Sequence, residues 1–237
     1  MKNKHRESNI LILILVVAMS FIGCKTDDPN TNSKITFNPN LTYGSMTDID
    51  GNVYKTIKIG TQIWMAENLK TTKYKDGTSI LLVTDNTAWG DPSTPAYCWY
   101  NNDASTYKAT YGALYNWSAV STGKLAPTGW HVPTNAEWTT LTMYLNGDDG
   151  GKLKETGTLN WTSPNTGATN ETGFSALPGG SRVWTGTFNG LGTDGNWWSS
   201  SINQGYVGLW YMTNDDSKVG TLGYKGRSGH SVRCVKD

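Results

Sequence analysis

The stretch GWHVPTNAEWTTL, residues 129–141, carries a strong signal for the start of a helix. Thr134 and Glu137 have the spacing of a capping box. In this motif the threonine hydroxyl accepts a hydrogen bond from the glutamate N–H, and the glutamate carboxylate accepts one from the threonine N–H. The helix is predicted to end at Asn146-Gly147. Its buried face consists of apolar residues at helical spacing: Trp138, Leu141 and Leu145.

The same stretch places His131 close to Glu137, a pairing of the kind used in acid–base catalysis. However, a carboxylate that already accepts hydrogen bonds from the backbone is a poor general base. No serine, cysteine or cluster of metal ligands stands beside the pair. We therefore interpret the stretch as a structural element.

The N-terminus predicts export from the cytosol. Three basic residues precede an apolar run over residues 10–18, and the small residues Gly23 and Cys24 follow. This order is typical of a signal peptide, predicted here over residues 1–23. The alternative, a membrane-spanning helix, needs about 20 apolar residues, and this run is shorter.

Ile22-Gly23-Cys24 resembles a bacterial lipobox, with Phe21 where leucine is usual, which predicts that Cys24 is lipidated. The following KTDD, residues 25–28, resembles the acidic export tag of surface lipoproteins in the Bacteroidetes. These motifs predict an outer-membrane lipoprotein, exposed at the cell surface and held to the membrane through its lipid anchor. Residues 24–40 are polar, so they are interpreted as the lipidated N-terminus and a flexible tether to a domain over residues 41–237.

The composition favours a strand-rich domain and argues against a nucleic-acid partner. The chain has 20 Lys and Arg against 19 Asp and Glu, without a basic cluster. Its 11 Trp, 12 Tyr and 27 Gly suggest short strands and tight turns around bulky core residues. Alternating residues 53–59 and 62–65 predict a β-hairpin, and residues 111–120 predict a helix. Four short runs, NWWSSS, YVGLWYM, KVGTLGY and SVRCV, predict a C-terminal antiparallel meander. The fold class is therefore α+β.

Several motifs together resemble one family. TDIDGNVYKTIKIGTQIWMAENL, YCWYNND, YGALYNW, APTGWHVPTNAEWTTL, GFSALPGGSR, WWSSS and SVRCVKD, spread over residues 46–237, are similar to the Fibrobacter succinogenes major paralogous domain of bacterial lipoproteins. HVPTNAEW and the terminal VRC more distantly resemble the formylglycine-generating sulfatase-modifying family and C-type-lectin-like domains. The resemblance implies a C-type-lectin-like fold with two helices, paired terminal strands and long loops. It also implies structural roles for four residues: Thr134, Glu137, Trp138 and Cys234. The major paralogous family has no assigned activity.

Enzymatic activity is not expected from these residues. A formylglycine-type oxidase needs a reactive cysteine pair, and the domain offers only Cys98 and Cys234. These two either form a disulfide, which the exported location permits, or are separate buried thiols. His131 and His230 are too few for a zinc site without carboxylate ligands. The Gly-x-Ser-x-Gly, P-loop and His-Glu-x-x-His motifs are absent from the sequence.

Two turns contain oxygen ligands that suit calcium, at residues 146–151 and 213–217. Asn, Asp and Gly are also the ordinary residues of turns, and neither stretch has EF-hand spacing. We therefore predict no cofactor.

Aromatic residues near the C-terminus supply the candidate binding surface. Trp197 and Trp198 are adjacent, so on a strand they would point to opposite faces, one buried and one exposed. An exposed tryptophan offers an apolar face and an N–H donor to a sugar or a protein. The candidate ligand-binding residues are Trp184, Asn196, Trp197, Trp198, Trp210 and Tyr211. Arg182 is expected to pair with a buried acid or with carbonyl groups rather than with a ligand.

These observations predict a surface-anchored, non-enzymatic lipoprotein that binds an extracellular ligand such as a polysaccharide. The alternative is a structural or protein–protein interaction module of the cell surface.

Overall fold

The computed structural model describes residues 34–91, 93–146, 149–224 and 226–237. The predicted signal peptide, Cys24 and the first part of the tether lie outside these residues. None of the helices in the described ranges is long and apolar enough to cross a membrane.

The described residues form fourteen strands and four short helices, so the chain is α+β and rich in strands. The strands are β1 (Gly44–Thr47), β2 (Val53–Ile59), β3 (Gln62–Met65), β4 (Leu81–Leu82), β5 (Ala96–Cys98), β6 (Leu114–Asn116), β7 (Trp130–His131), β8 (Gly179–Arg182), β9 (Phe188–Leu191), β10 (Asp194–Asn203), β11 (Tyr206–Thr213), β12 (Gly220–Tyr224), β13 (Gly229–His230) and β14 (Val235–Lys236). The helices are α1 (Asn86–Trp89), α2 (Ala104–Tyr111), α3 (Trp117–Ser121) and α4 (Asn135–Tyr144).

The strands form three sheets. The first has the order β1-β2-β3-β14-β7, the second β4-β5-β6-β13-β8-β9, and the third β10-β11-β12. Between the named strands, pairing is antiparallel except between β4 and β5, which are parallel. The predicted hairpin of β2 and β3 is confirmed, with Ile59 opposite Gln62.

The predicted C-terminal meander is confirmed for β10, β11 and β12 only. The fourth run, SVRCV, does not extend it. Ser231 forms an isolated parallel bridge with Trp197, but the strands on either side of it join other sheets: β13 pairs with β6 and β8, and β14 pairs with β3 and β7.

The helix predicted over residues 111–120 is wrong in its first half. Gly112 adopts φ 73°, which ends α2 at Tyr111. A Cβ at this position would stand 2.7 Å from the carbonyl oxygen of Leu69. Glycine has no Cβ, so the chain can pass this close to the Leu69 segment. The Asn116 side chain then accepts from the Ala119 N–H and starts α3.

The capping box of α4 is confirmed. The Glu137 N–H donates to Thr134 Oγ1 at 3.2 Å, and the Thr134 N–H donates to Glu137 Oε2 at 2.8 Å. The predicted apolar face is buried: Trp138, Leu141 and Leu145.

Replacing the cap, Thr134→Ala, is expected to lower the free energy of unfolding by about 1 kcal/mol, because the first turn of α4 loses a partner for its N–H groups. Urea titration followed by tryptophan fluorescence measures this change. Thr140→Ala, an exposed position within the same helix, is the matched control and should change stability much less. Equal losses in both variants would contradict the role of the cap.

An aromatic cluster forms the centre of one core. Trp138 stacks on Trp210 with ring centroids 5.6 Å apart and also contacts Trp64 at 4.9 Å. Trp197 and Phe174 complete the cluster. All five side chains are buried, so four of the tryptophans serve as core residues.

Residues 34–40, predicted as part of the flexible tether, contact the domain instead. The Lys34 N–H donates to Thr110 Oγ1 at 3.2 Å, and the Asn38 side chain donates to the Asn170 carbonyl at 3.0 Å. The Lys55 ammonium lies 5.0 Å from the Phe37 ring centroid. The polar composition of this segment concealed its packing, because its contacts are mainly hydrogen bonds.

Candidate ligand-binding surface

Trp197 and Trp198 are both fully buried, so the expectation that one of them is exposed is wrong. They do point to opposite faces of β10, but both faces are covered. Trp197 packs against Trp138, and Trp198 packs against Trp117. Their indole N–H groups also donate within the protein. That of Trp197 donates to Asn68 Oδ1 at 2.9 Å, and that of Trp198 donates to the Tyr115 carbonyl at 2.7 Å.

Trp210 is buried as well, and its N–H donates to Asn135 Oδ1 at 2.9 Å. Asn196 and Tyr211 are half-buried and lie opposite each other in the β10–β11 register. The Tyr211 ring covers Gly220, where a Cβ would stand 2.1 Å from the ring. These three residues therefore form the body of the third sheet.

Trp184 is the predicted binding residue that is strongly exposed, with 58% of its surface accessible. It lies in the tight turn between β8 and β9. The Gly186 N–H donates to the Val183 carbonyl and the Val183 N–H donates to the Thr187 carbonyl, both at 2.8 Å. Gly186 adopts φ 88°, a conformation that glycine tolerates. The turn leaves the Trp184 ring on the surface.

Arg182 stabilises this turn from the interior of the protein. Its fully buried guanidinium donates from Nη1 to the Val83 carbonyl at 2.6 Å and from Nε to the Gly186 carbonyl at 3.1 Å. The expectation that Arg182 pairs with buried acceptors instead of a ligand agrees with these contacts.

Strand register brings Arg227 next to Trp184. Gly229 on β13 is paired with Arg182 on β8 in antiparallel register. Arg227 lies two residues before Gly229, and Trp184 lies two residues after Arg182, so this pairing brings the two parts of the chain close together. Together with Gly223 and Tyr224 these two side chains line a depression of about 350 Å³.

A second depression, of about 410 Å³, adjoins the first and shares Gly223 with it. Its rim includes two exposed side chains, Tyr206 and Leu222, which are 47% and 41% accessible. Its other lining residues are Asn135, Asn203, Gln204, Val207, Gly208 and Thr221. Both volumes lie at the small end of the range of ligand sites. We call the two depressions together the aromatic groove.

Tyr224 is held rigidly in the groove wall. Its hydroxyl lies 2.9 Å from Ser228 Oγ. Its ring packs edge-on against His230 at 5.4 Å and against Trp198 at 6.1 Å. Trp198 thus supports the groove from inside instead of contacting a ligand.

Sequence analysis missed Leu222, Tyr224 and Arg227 as candidate site residues. The KGRSG turn before the last strands was the available signal for Arg227. However, the position of Arg227 near Trp184 depends on the pairing of β13 with β8, which lies more than forty residues earlier in the chain.

Of the two alternatives for the cysteines, the structure has separate buried thiols: Cys98 and Cys234 are both free and buried. They belong to different hydrophobic clusters, Cys98 at the end of β5 and Cys234 beside β14. Burial raises the pKa of Cys98 to about 12 and raises the pKa of Cys234 as well. Both are therefore protonated at neutral pH, whereas a nucleophilic cysteine must be a thiolate.

His131 lies between two carboxylates, with Nε2 at 2.6 Å from Glu137 Oε1 and Nδ1 at 2.7 Å from Asp237 Oδ1. Partial burial acts to lower the pKa of His131, but the hydrogen bonds with Asp237 and Glu137 outweigh it and raise the pKa. Glu137 serves the capping box mainly through its other oxygen, Oε2. The Glu137 carboxylate therefore contacts His131 through one oxygen and caps the helix through the other.

One of the two calcium candidates is occupied by a lysine. The buried Lys154 ammonium donates to the Thr213 carbonyl at 2.9 Å and to the Asp216 carbonyl at 2.7 Å. The other candidate, residues 146–151, lies partly outside the described residues. Within the described part of the chain, no group of three or more His, Cys, Asp or Glu side chains is arranged to hold a metal ion.

The comparison with protein families identifies the class of the chain. A family model described as the Fibrobacter succinogenes major domain matches residues 57–236, about three quarters of the sequence. The chain therefore belongs to the Fibrobacter succinogenes major domain family, as the sequence motifs predicted. No curated protein and no solved structure matches the chain significantly.

Proposed function

We propose that this chain is a non-enzymatic binding protein of the cell surface whose domain has a C-type-lectin-like fold and binds polysaccharide in the aromatic groove. The observation that carries the proposal is the groove itself. It is a concave surface in which Trp184 and Tyr224 line one depression, Tyr206 lines the other, and Gly223 lines both.

The topology supports the lectin-like fold. The C-terminal strand β14 pairs with β3 of the N-terminal hairpin, which closes the domain with its two ends together. The groove is built by loops and strands inserted between these ends. In proteins generally, binding residues concentrate on loops that a rigid scaffold positions.

The chemistry of the groove suits a sugar. The flat apolar face of a pyranose packs on an exposed aromatic ring, and its hydroxyl groups need polar partners nearby. Asn135, Asn203 and Gln204 line the second depression and supply such partners. Because Tyr224 is already fixed by Ser228 and His230, little side-chain entropy would be lost on binding.

The N-terminal motifs support attachment at the cell surface, where a polysaccharide ligand would be met. The lipobox at residues 22–24 would place the lipid on Cys24. The acidic KTDD stretch after it favours export to the outer face. The balanced overall charge favours neither nucleic acid nor a bare anionic membrane as the partner.

Trp184→Ala is expected to weaken polysaccharide binding by about tenfold or more, the effect of removing a central aromatic contact. Affinity electrophoresis of the purified full chain against a panel of polysaccharides measures this loss. Tyr144→Ala, at the exposed C-terminal end of α4, is the matched control because it removes an exposed aromatic ring that lines neither depression.

The control should bind like the unmodified chain. Equal affinity of the Trp184→Ala variant and the unmodified chain would contradict binding at the groove. Failure of the unmodified chain to bind any polysaccharide would reject the proposed function.

A second candidate function is a protein-interaction module. It is favoured by Leu81 and Leu82, which are both exposed on β4 at the edge of the second sheet. An edge strand with exposed apolar side chains is a common docking site for another chain. A chain that binds no polysaccharide would make this edge the next surface to test.

A further inference from the structure

The three arginines of the domain differ in how their charge is used. Arg182 and Arg233 are fully buried and direct their guanidinium groups at oxygens of the protein itself. Arg227 is exposed and makes no hydrogen bond or ion pair with any residue that the structure describes. Its position in the groove determines which ligand groups its positive charge can contact.

Exposed arginines are usually solvated and have no specific role. Arg227 differs because it lines a concave site together with two aromatic side chains, Trp184 and Tyr224. In the described part of the chain, no acidic side chain lines either depression of the groove. Among the described lining residues, Arg227 is therefore the charged side chain, and its charge is positive, although the whole chain carries a formal charge of only +1.

We propose that the groove selects anionic polysaccharides, with Arg227 binding a carboxylate or sulfate group of a sugar whose ring packs on Trp184. This inference rests on the proposed function and adds the chemical class of the ligand. A guanidinium presents parallel N–H donors that match two oxygens of such an anion. Because the chain has little net charge, the preference must come from this local contact and not from long-range attraction.

Matched pairs of polymers test the proposal on the purified full chain. The first pair is polygalacturonate and its methyl ester, which share a backbone but differ in charge. The second pair is dextran sulfate and dextran, which distinguishes sulfate from carboxylate as the preferred anion. The variants are Arg227→Gln, Trp184→Ala and Lys58→Gln, the last removing one exposed positive charge on β2, outside the residues that line the groove.

We expect the unmodified chain to bind at least one anionic polymer roughly tenfold more tightly than its neutral partner. Arg227→Gln should abolish this preference and leave residual binding to the neutral polymer. Lys58→Gln should keep the preference. Trp184→Ala should weaken binding to both members of the pair. Added salt should weaken anionic binding of the unmodified chain more than that of the Arg227→Gln variant.

Equal binding to charged and neutral partners would overturn the inference while leaving polysaccharide binding intact. Equal losses in the Arg227→Gln and Lys58→Gln variants would also overturn it, because they would indicate non-specific attraction. If none of the four polymers binds, both the inference and the proposed function fail for these sugar classes.

Discussion

Arg233→Met is expected to lower the free energy of unfolding by about 3–5 kcal/mol, the largest effect predicted for a single substitution in this chain. The Arg233 guanidinium is fully buried and donates to Asn68 Oδ1 at 3.0 Å from Nη2. It also donates to the carbonyl oxygens of Phe174 and Ser175, and its charge lies 4.2 Å from the Phe174 ring centroid. Methionine fills much of the same space but leaves these oxygens without donors.

Urea-induced unfolding of the purified chain measures the loss of stability. Arg227→Met is the matched control, because it makes the same chemical change at an exposed arginine and should alter stability by no more than about 0.5 kcal/mol. A loss below 1 kcal/mol for Arg233→Met would contradict the prediction, because it would show that the hydrogen bonds of Arg233 contribute little to stability. The Arg227 variant also separates stability from binding, since it should fold normally and lose only the anion preference.

Acidification should destabilise the domain through His230. This imidazole is fully buried against Trp198 and Tyr224, and neither of its ring nitrogens has a hydrogen-bond partner among the described residues. Burial lowers the pKa of His230 to about 3, far below the usual value near 6.5. Between these two values the unfolded chain binds a proton that the folded chain does not. Stability is therefore lost as the pH falls through this window, by about 3 kcal/mol between pH 7 and pH 4.

The His230→Phe variant isolates this contribution. Phenylalanine keeps an aromatic ring beside Trp198 and cannot be protonated. The difference in unfolding free energy between pH 7 and pH 4 should therefore be smaller in the variant than in the unmodified chain by about the same 3 kcal/mol. An identical pH profile for the two proteins would contradict the assignment.

His131 provides a control of opposite sign in the same experiment. Its pKa is raised in the folded chain, so its stabilising contribution is complete at low pH and is lost as the pH rises through the folded value. His131→Gln should therefore flatten the profile on the alkaline side and leave the acid loss from His230 in place.

The features that the sequence predicted correctly depend on local contacts. The capping box at Thr134 and Glu137 involves two residues three positions apart, and the β2–β3 hairpin has a two-residue turn. The burial of Trp197 and Trp198 is different. Alternation along β10 correctly placed them on opposite faces, but it does not reveal that other elements cover both faces. That covering is formed by α3 and α4, which are distant in sequence.

The groove could be predicted only in part for the same reason. Trp184 was identified by its residue type, and its exposure follows from a local turn. Arg227 lies near Trp184 because β13 pairs with β8, and no periodicity in the sequence predicts that pairing. Residues 34–40 are a further case: their composition gives no sign of the hydrogen bonds that they make with Thr110 and Asn170.

The contact of Lys154 with the Thr213 and Asp216 carbonyls has a consequence for how the domain responds to its surroundings. Turns rich in Asp and Asn are often ordered by a dissolved cation, and then their order depends on the concentration of that ion. Here the cation is a side chain, attached to the backbone fifty-nine residues before Thr213. The fold fixes the effective concentration of the Lys154 ammonium group at the turn. Neither dilution nor a chelator can therefore remove it. This turn should therefore keep its shape in calcium-poor and calcium-rich environments alike.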